Sequence, residues 1–252
     1  MTGSEVRSYA RLRENLAKRD RSLREKVMSL HDAATLVQDG MSVGVGGSTM
    51  SRTPMAMIWE LMRQRRKHLS CSRSIVSTDG DLLFGSDMAD EVVTSWFAQG
   101  ILWGLSKVMR HHVEKGSKRF QEWSHMAMGM RFRAGGMGVP FLPIRSMLGS
   151  DVLKQRPEAK AFDCPFTGEK LLLVPALNPD VALIHVQRCD PFGNAQRLRS
   201  STALSPGRNC CSSRRSTRTL RSFMCSAATL LATPRSTACS SWTSISPWPP
   251  IG

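Results

Sequence analysis

The sequence predicts an α/β fold: an open, mainly parallel sheet flanked by helices. Three observations point there. Short β-rich runs alternate with stretches whose apolar residues recur at helical spacing. One such run, residues 41–47 (MSVGVGG), passes from a strand directly into glycines and is followed by Pro54, a residue that suits the first turn of a helix. Two further β-rich runs, 170–174 and 181–186, are separated by the turn PALNPD.

Taken in chain order, residues 1–25 are charged and helix-prone without a strong apolar stripe, and read as an N-terminal extension. Val27, Leu30, Ala34 and Val37 fall at helical spacing, which predicts an amphipathic helix over 26–38, ended by Asp39-Gly40. Residues 41–47 form a short strand entering a glycine turn. A helix follows over 54–66 and a short strand over 74–77. Residues 79–118 mix glycine turns, the apolar run 92–103 and a basic helix over 107–115. Residues 121–134 read as helix, and 135–143 (GGMGVPFLP) as a loop or turn leading into a strand. The body, 26–196, contains no internal repeat and reads as one partial domain.

Composition narrows the function classes. A hydrophobic fraction of 41% is enough for a core. No run of about 18 apolar residues occurs and the N-terminus lacks an apolar signal region, so no membrane span is expected and the location expected is cytoplasmic. The formal charge of +15 points toward nucleic acid, but it is unevenly spread. Residues 197–252 carry 8 Arg and no Lys, Asp or Glu, leaving 27 basic against 20 acidic residues in 1–196. That body is only moderately basic and has no interleaved aromatics or known nucleic-acid module, so no nucleic-acid partner is expected; a basic nucleic-acid-binding protein is the last-ranked alternative. His111, His112 and His125 lack ligand spacing with acids, and the cysteines lack zinc-finger spacing, so no metal is expected.

The acid-free tail has a specific origin in the genetic code. Dropping the first base of each codon from Glu158 onward, and borrowing the first base of the next, regenerates it at a constant offset of 39 residues. Thr167-Gly168-Glu169-Lys170 then yields Pro206-Gly207-Arg208-Asn209, and Ile184-His185-Val186-Gln187 yields Phe223-Met224-Cys225-Ser226. Between Arg197 and Arg235, Ser200 alone fails the test. Residues 197–252 therefore read as an out-of-frame copy following a frameshift after Gln196. Shifted back, 236–252 is compatible with IDGLQFMDIDLAMAADR. An out-of-frame segment carries no selected hydrophobic period, so disorder is expected for it.

Three segments can carry chemistry. In DGMSVGVGG, Gly44, Gly46 and Gly47 follow a strand and precede a helix; exposed N–H groups there suit a phosphate, a carboxylate or an oxyanion, while a tight turn needing positive φ explains the same glycines. The stretch is neither a P-loop nor a good dinucleotide fingerprint. In RFRAGGMGVPFLPIRSMLGSD, the small residues allow close backbone approach and Arg145 can pair with a phosphate or carboxylate, or be solvated. In PFTGEKLLLVPALNPDVALIHVQRCDPFGNAQ, His185 sits in a β-rich run, and Asp190 and Asn194 flank a turn at a strand's end. The carboxylates near these segments are Glu122, Asp151 and Glu169.

Together these segments resemble the α (A) subunit of class I coenzyme A-transferases, closest to the glutaconate type, over roughly residues 26–196. The resemblance implies an open, CoA-transferase-like sheet, truncated here. It implies an enzyme subunit that helps move CoA between an acyl-CoA and a carboxylic acid. The glutamyl-CoA thioester would be carried by a β subunit, in a heterodimer or heterotetramer. Gly44, Gly46, Gly47 and Arg145 would then bind substrate or CoA, with CoA thioester as substrate and no permanently bound cofactor. Related heteromeric proteins are ring-opening hydrolases of CoA thioesters with a glutamate on the α side, for which Glu122 is the candidate. The sequence departs from the family pattern at Ser48, where a large apolar residue often stands, and at Arg52, where glycine is common. Loss of the family's C-terminal strands is expected to leave this chain unstable or inactive, and a non-functional truncated product is the non-enzyme alternative.

Overall fold

The computed structural model describes residues 22, 24–99, 104–186 and 189–194, with 14, 17 and 18 and the two strands 223–226 and 238–241. Strand β1 (Val27–Met28) leads through Ser29 into helix α1 (Leu30–Thr35). The unit repeats as β2 (Ser42–Val45), α2 (Met55–Arg63), β3 (Leu69–Ser72), β4 (Ile75–Val76), α3 (Thr78–Gly85) and β5 (Ala89–Thr94). Next come β6 (Trp96–Phe97), α4 (Lys107–Glu114), β7 (Arg119–Glu122) and α5 (His125–Met137). The body closes with β8 (Phe141–Ile144), α6 (Asp151–Lys154), β9 (Lys160–Asp163), β10 (Lys170–Pro175) and β11 (Val181–Val186). Strands β12 (Phe223–Ser226) and β13 (Ala238–Ser241) follow.

The main sheet runs β1-β13-β12-β11-β2-β3-β5-β7. From β11 to β7 every neighbouring pair is parallel. Strand β12 joins β11 antiparallel, β13 joins β12 antiparallel, and β1 joins β13 parallel. A separate antiparallel ribbon has the order β8-β10-β9. The fold class is the one the sequence predicts.

Both faces of the parallel strands are covered, which is why they read as apolar runs. On one face, α1, α2 and α3 pack Ala33, Ala34, Ile58, Leu61, Leu83 and Phe84 against Val43, Leu69, Cys71 and Val92. On the other face, α5 and the ribbon bury Trp123, Ala127, Met128, Leu172 and Val174 with Val93. Val92 and Val93 are consecutive in β5 and serve opposite faces, as strand alternation requires.

The structure moves several boundaries. The helix expected over 26–38 is preceded by β1, because the Ser29 hydroxyl accepts the Asp32 N–H at 3.0 Å and sets the start. The helix expected over 121–134 begins later and ends later. Its first residues belong to β7, Ser124 caps α5 by accepting from the Ala127 N–H, and α5 runs through Gly135 and Gly136 to Met137. Gly138, with φ 70°, ends it in the left-handed conformation. Strands β3 and β7 and helix α3 go unpredicted by the sequence. The two strands are four residues long and half polar or more, and α3 contains Gly80 and Gly85, which weaken the helical signal. The extension 1–25 and the tail 197–252 lie outside the described residues, apart from the residues and strands named above.

Candidate active site at the carboxyl ends of the parallel strands

In open parallel sheets, ligand sites form beyond the carboxyl ends of the strands. Strands β2, β3, β5 and β7 are mutually parallel neighbours, so the segments following them gather on one edge. These segments are the glycine loop after β2, residues 73–77 after β3, Ser95 after β5, and residues 123–125 after β7.

The three glycines of the loop have three different surroundings. Gly44 is buried within β2, where a Cβ would sit 3.0 Å from Pro179 Cγ and 3.8 Å from Phe132 of α5. Gly46 donates its N–H to Leu183 O at 2.8 Å, and a Cβ would lie 3.2 Å from that same oxygen. Gly47 has φ +97°, and a Cβ there would meet the carbonyl oxygens of Ser51 and Arg52 at 2.7 Å. Only glycine fits that turn. Ser48 and Ser51 then exchange backbone hydrogen bonds of 3.0 and 2.8 Å. Thr49 (φ 48°) and Arg52 (φ 56°) are left-handed without being glycine, at a cost of about 1–3 kcal/mol each. Arg52, where the resemblance expects glycine, thus occupies a conformation that glycine would adopt more easily. Among the described residues, the N–H groups of Gly47, Thr49 and Met50 have no hydrogen-bond partner. They supply free donors beside the start of α2, whose Pro54 cap offers no side-chain bond.

A second group lies along the same edge. The Ser74 hydroxyl is 2.8 Å from His125 Nδ1, the Ser95 hydroxyl is 3.4 Å from it, and Ser95 also donates to Ser74 O. The Ser124 hydroxyl is 2.9 Å from that of Ser146. A cavity of about 240 Å³ opens here, lined by Ser95, Glu122, Trp123, Ser124, Met147, Ser150 and Val152. Glu122 is exposed at the end of β7 and faces this cavity. Beneath it the buried Trp123 ring carries Arg131, whose guanidinium carbon is 3.9 Å from the ring centroid. Arg131 Nε donates to Pro175 O at 3.1 Å, and burial pushes its pKa down to about 10.

Other sequence candidates fall elsewhere. Arg145 follows β8 and pairs with Glu169 at 3.6 Å; both are exposed, and no contact among the described residues joins Arg145 to the glycine loop. His185 Nδ1 lies 3.4 Å from Thr53 O at the far end of that loop. Asp190 closes its own turn, its carboxylate accepting from the Phe192 and Asn194 N–H groups. Burial, aided by the Asp79 charge, pushes the Cys71 thiol in β3 up to about 12, which disfavours the thiolate that nucleophilic attack needs.

Sequence reasoning misses Ser74, Ser95, Ser124 and His125 as a group. The signal is a hydroxyl residue within two positions of the end of three strands, but it becomes visible only once β3 and β7 are recognised. The assembled edge can offer free N–H donors to an oxyanion, hydroxyls to a carboxylate, and one carboxylate, Glu122, to a reacting centre.

Comparison with known proteins identifies the family. The family model for coenzyme A transferase matches residues 27–211. The A-type subunit of the 3-oxoadipate CoA-transferase of Pseudomonas knackmussii is 36% identical over 173 residues, 67% of this chain and 61% of that protein. The A-type subunit of the glutaconate CoA-transferase of Acidaminococcus fermentans is 31% identical, over 68% of this chain and 59% of that one. A cholesterol ring-cleaving hydrolase IpdA subunit from Rhodococcus jostii is also 31% identical, over 69% of this chain and 60% of that one. Among solved structures, glutaconate coenzyme A-transferase from Acidaminococcus fermentans superposes with a TM-score of 0.62 at 30% identity, covering 66% of this chain and 58% of that one. A variant of the decarboxylase AibA/AibB gives 0.64 at 26% identity, covering 72% and 70%. The chain spans about 60% of the length of these curated relatives. It belongs to the coenzyme A transferase family.

Proposed function

We propose that this chain is the A-type subunit of a heteromeric enzyme that moves CoA between an acyl-CoA and a carboxylic acid. The observation that carries the proposal is the glycine loop, whose Gly47, Thr49 and Met50 N–H groups stand unbonded at the carboxyl end of β2. The catalytic glutamate is supplied by a β subunit. In the first half-reaction its carboxylate attacks the thioester carbonyl. The acyl C–S bond breaks and releases CoA thiolate, leaving an acyl-glutamyl anhydride; the thiolate attacks the glutamyl carbon, and the acyl group departs as a carboxylate that keeps one former glutamate oxygen. The acceptor carboxylate reverses these events. Each half-reaction passes through tetrahedral oxyanions, which fixed N–H donors stabilise.

The test is to produce the chain alone and together with a glutamate-bearing β subunit. Each preparation is then assayed for transfer of CoA from a panel of dicarboxylic acyl-CoAs to acetate. Restored to frame after Gln196, the chain should transfer with ping-pong kinetics when paired; as it stands, with its out-of-frame tail, it should be inactive alone and paired. Absence of transfer by the frame-restored pair, at any acyl-CoA tried, overturns the reading.

A second reading has its own observation. Glu122 faces the cavity from this chain, and some relatives are named as ring-cleaving hydrolase subunits. If CoA is released without an acceptor, and Glu122→Gln abolishes that release, hydrolysis is the activity and Glu122 its carboxylate. The out-of-frame reading of 197–252 adds an expectation: a chain restored to frame after Gln196 should pair with the β subunit more tightly than this one.

A further inference from the structure

We propose that Arg73 is a positioning residue: its buried ion pair with Asp79 clamps the glycine loop in the conformation that presents its free N–H groups. The inference deepens the function proposed above and rests on it for the loop's role toward CoA thioesters.

Arg73 is the first residue beyond β3, and its side chain is only 1% exposed. One guanidinium nitrogen pairs with Asp79, itself 1% exposed. The other nitrogen, Nη2, donates to Thr49 O at 2.7 Å and to the Thr53 hydroxyl at 2.9 Å. The Thr53 hydroxyl in turn donates to Thr49 O at 3.2 Å. A single fork therefore grips both ends of the turn from below. Thr49 is one of the two strained residues of that turn and Arg52, the other, lies between the gripped positions. Strained backbone persists only where its surroundings over-determine it. This fork holds the turn together with the Ser48–Ser51 pair, the bonds from the Thr49 hydroxyl to Ser48 O and from the Thr53 hydroxyl to Thr49 O, and the approach of His185 Nδ1 to Thr53 O.

Asp79 is fixed in its turn. It stands in the first turn of α3, where the helix dipole favours a carboxylate, and it accepts the Ser77 N–H at 3.1 Å. The pair is not a product of stability alone. Arg73 Nε, the second Asp79 oxygen and the Ser77 hydroxyl are buried with no partner, and Arg73 Nη1 meets Asp79 as an ion pair without hydrogen-bond geometry. Buried groups left unsatisfied weaken a fold, and a hydrophobic pair of similar volume would be at least as stable. What such a pair would not do is donate to Thr49 O. Lysine would keep the charge but lacks the planar fork needed to reach Asp79, Thr49 and Thr53 together.

The test uses the full chain and reads amide hydrogen exchange of a peptide covering the loop, where the Ser48 and Ser51 N–H groups are bonded. Binding of CoA itself is measured by calorimetry. The double variant Arg73→Met/Asp79→Leu removes both charges and should keep the melting temperature. Loop amides should exchange at least tenfold faster and CoA should bind about tenfold more weakly. Arg73→Lys should also free the loop. Because core substitutions can fail to fold, the shallower site gives an independent arm. Thr53→Val should accelerate loop exchange, and Thr53→Ser, which keeps the hydroxyl, should restore it. Folded variants whose loop exchanges at the wild-type rate overturn the clamp. If the loop responds as expected but the wild-type chain binds no CoA, the clamp stands and the loop's assignment to CoA thioesters falls.

Discussion

Two glycine-rich segments look alike in the sequence and are built for different ends. Residues 44–47 (GVGG) and 135–138 (GGMG) each follow a regular element and each reads as a turn. In the first, the chain leaves β2, and Gly47 adopts φ +97° so that the backbone can fold back and leave N–H groups free. In the second, Gly135 is helical and buried within α5, and what its missing side chain allows is contact. A Cβ there would lie 2.4 Å from Leu177 O and 2.7 Å from Asn178 Oδ1. Only Gly138, which caps the helix, makes a turn. One segment uses glycine for backbone conformation at a surface, the other for approach between a helix and the residues following β10. Substitution should therefore separate binding from stability.

The largest effect on stability is expected at Gly135. Alanine favours a helix, but here its methyl group meets a backbone carbonyl that cannot turn aside. Gly135→Ala should lower the unfolding free energy by about 1–3 kcal/mol, the usual cost of overpacking. Urea unfolding measures this. CoA affinity, taken below the transition, should be unchanged. A stability within error of wild type would show that α5 can slide off Leu177, and the contrast between the two segments would then fail.

Gly47→Ala should do the reverse. The clash with Ser51 O and Arg52 O lies inside an exposed turn, which can open without disturbing β2. CoA binding should weaken about tenfold, equivalent to ~1.4 kcal/mol. The urea midpoint should move less than it does for Gly135→Ala. Unaltered CoA affinity would remove Gly47 from the binding loop.

The fold is legible in the sequence where apolar periodicity is long. Strands β2 and β11 are close to their expected positions because both faces of the parallel sheet are covered and they read as apolar runs; β10, in the separate ribbon, is found by its apolar run 171–174, and α2 by its helical spacing. Strand β7 is lost to a helix reading because Arg119-Phe120-Gln121-Glu122 has one apolar residue, and its pairing to β5 through Val92 and Phe120 is tertiary information. The glycine loop is legible as a motif, yet its three glycines cannot be sorted from sequence. The neighbours that distinguish them, Pro179, Leu183 and Ser51, come from elsewhere in the chain or from the turn's own closure. The serine–histidine group is invisible for a related reason. Ser74, Ser95 and His125 meet only when three strands are laid side by side.

The smallest expected effect sharpens the contrast within α5 itself. Gly129 also lies in this helix, before Gly135, but a Cβ built there meets nothing within 4 Å. Neither approach nor positive φ requires glycine at this position. Its presence exposes backbone and leaves the unfolded chain more freedom to lose. Gly129→Ala should therefore stabilise the protein by roughly 0.5–1 kcal/mol, opposite in sign to Gly135→Ala. Measured side by side in urea, the two substitutions share residue types, helix and helical propensity. The difference between them isolates the contact with Leu177. If both destabilise, α5 is intolerant of alanine for a reason other than that contact, and Gly135 loses its special place.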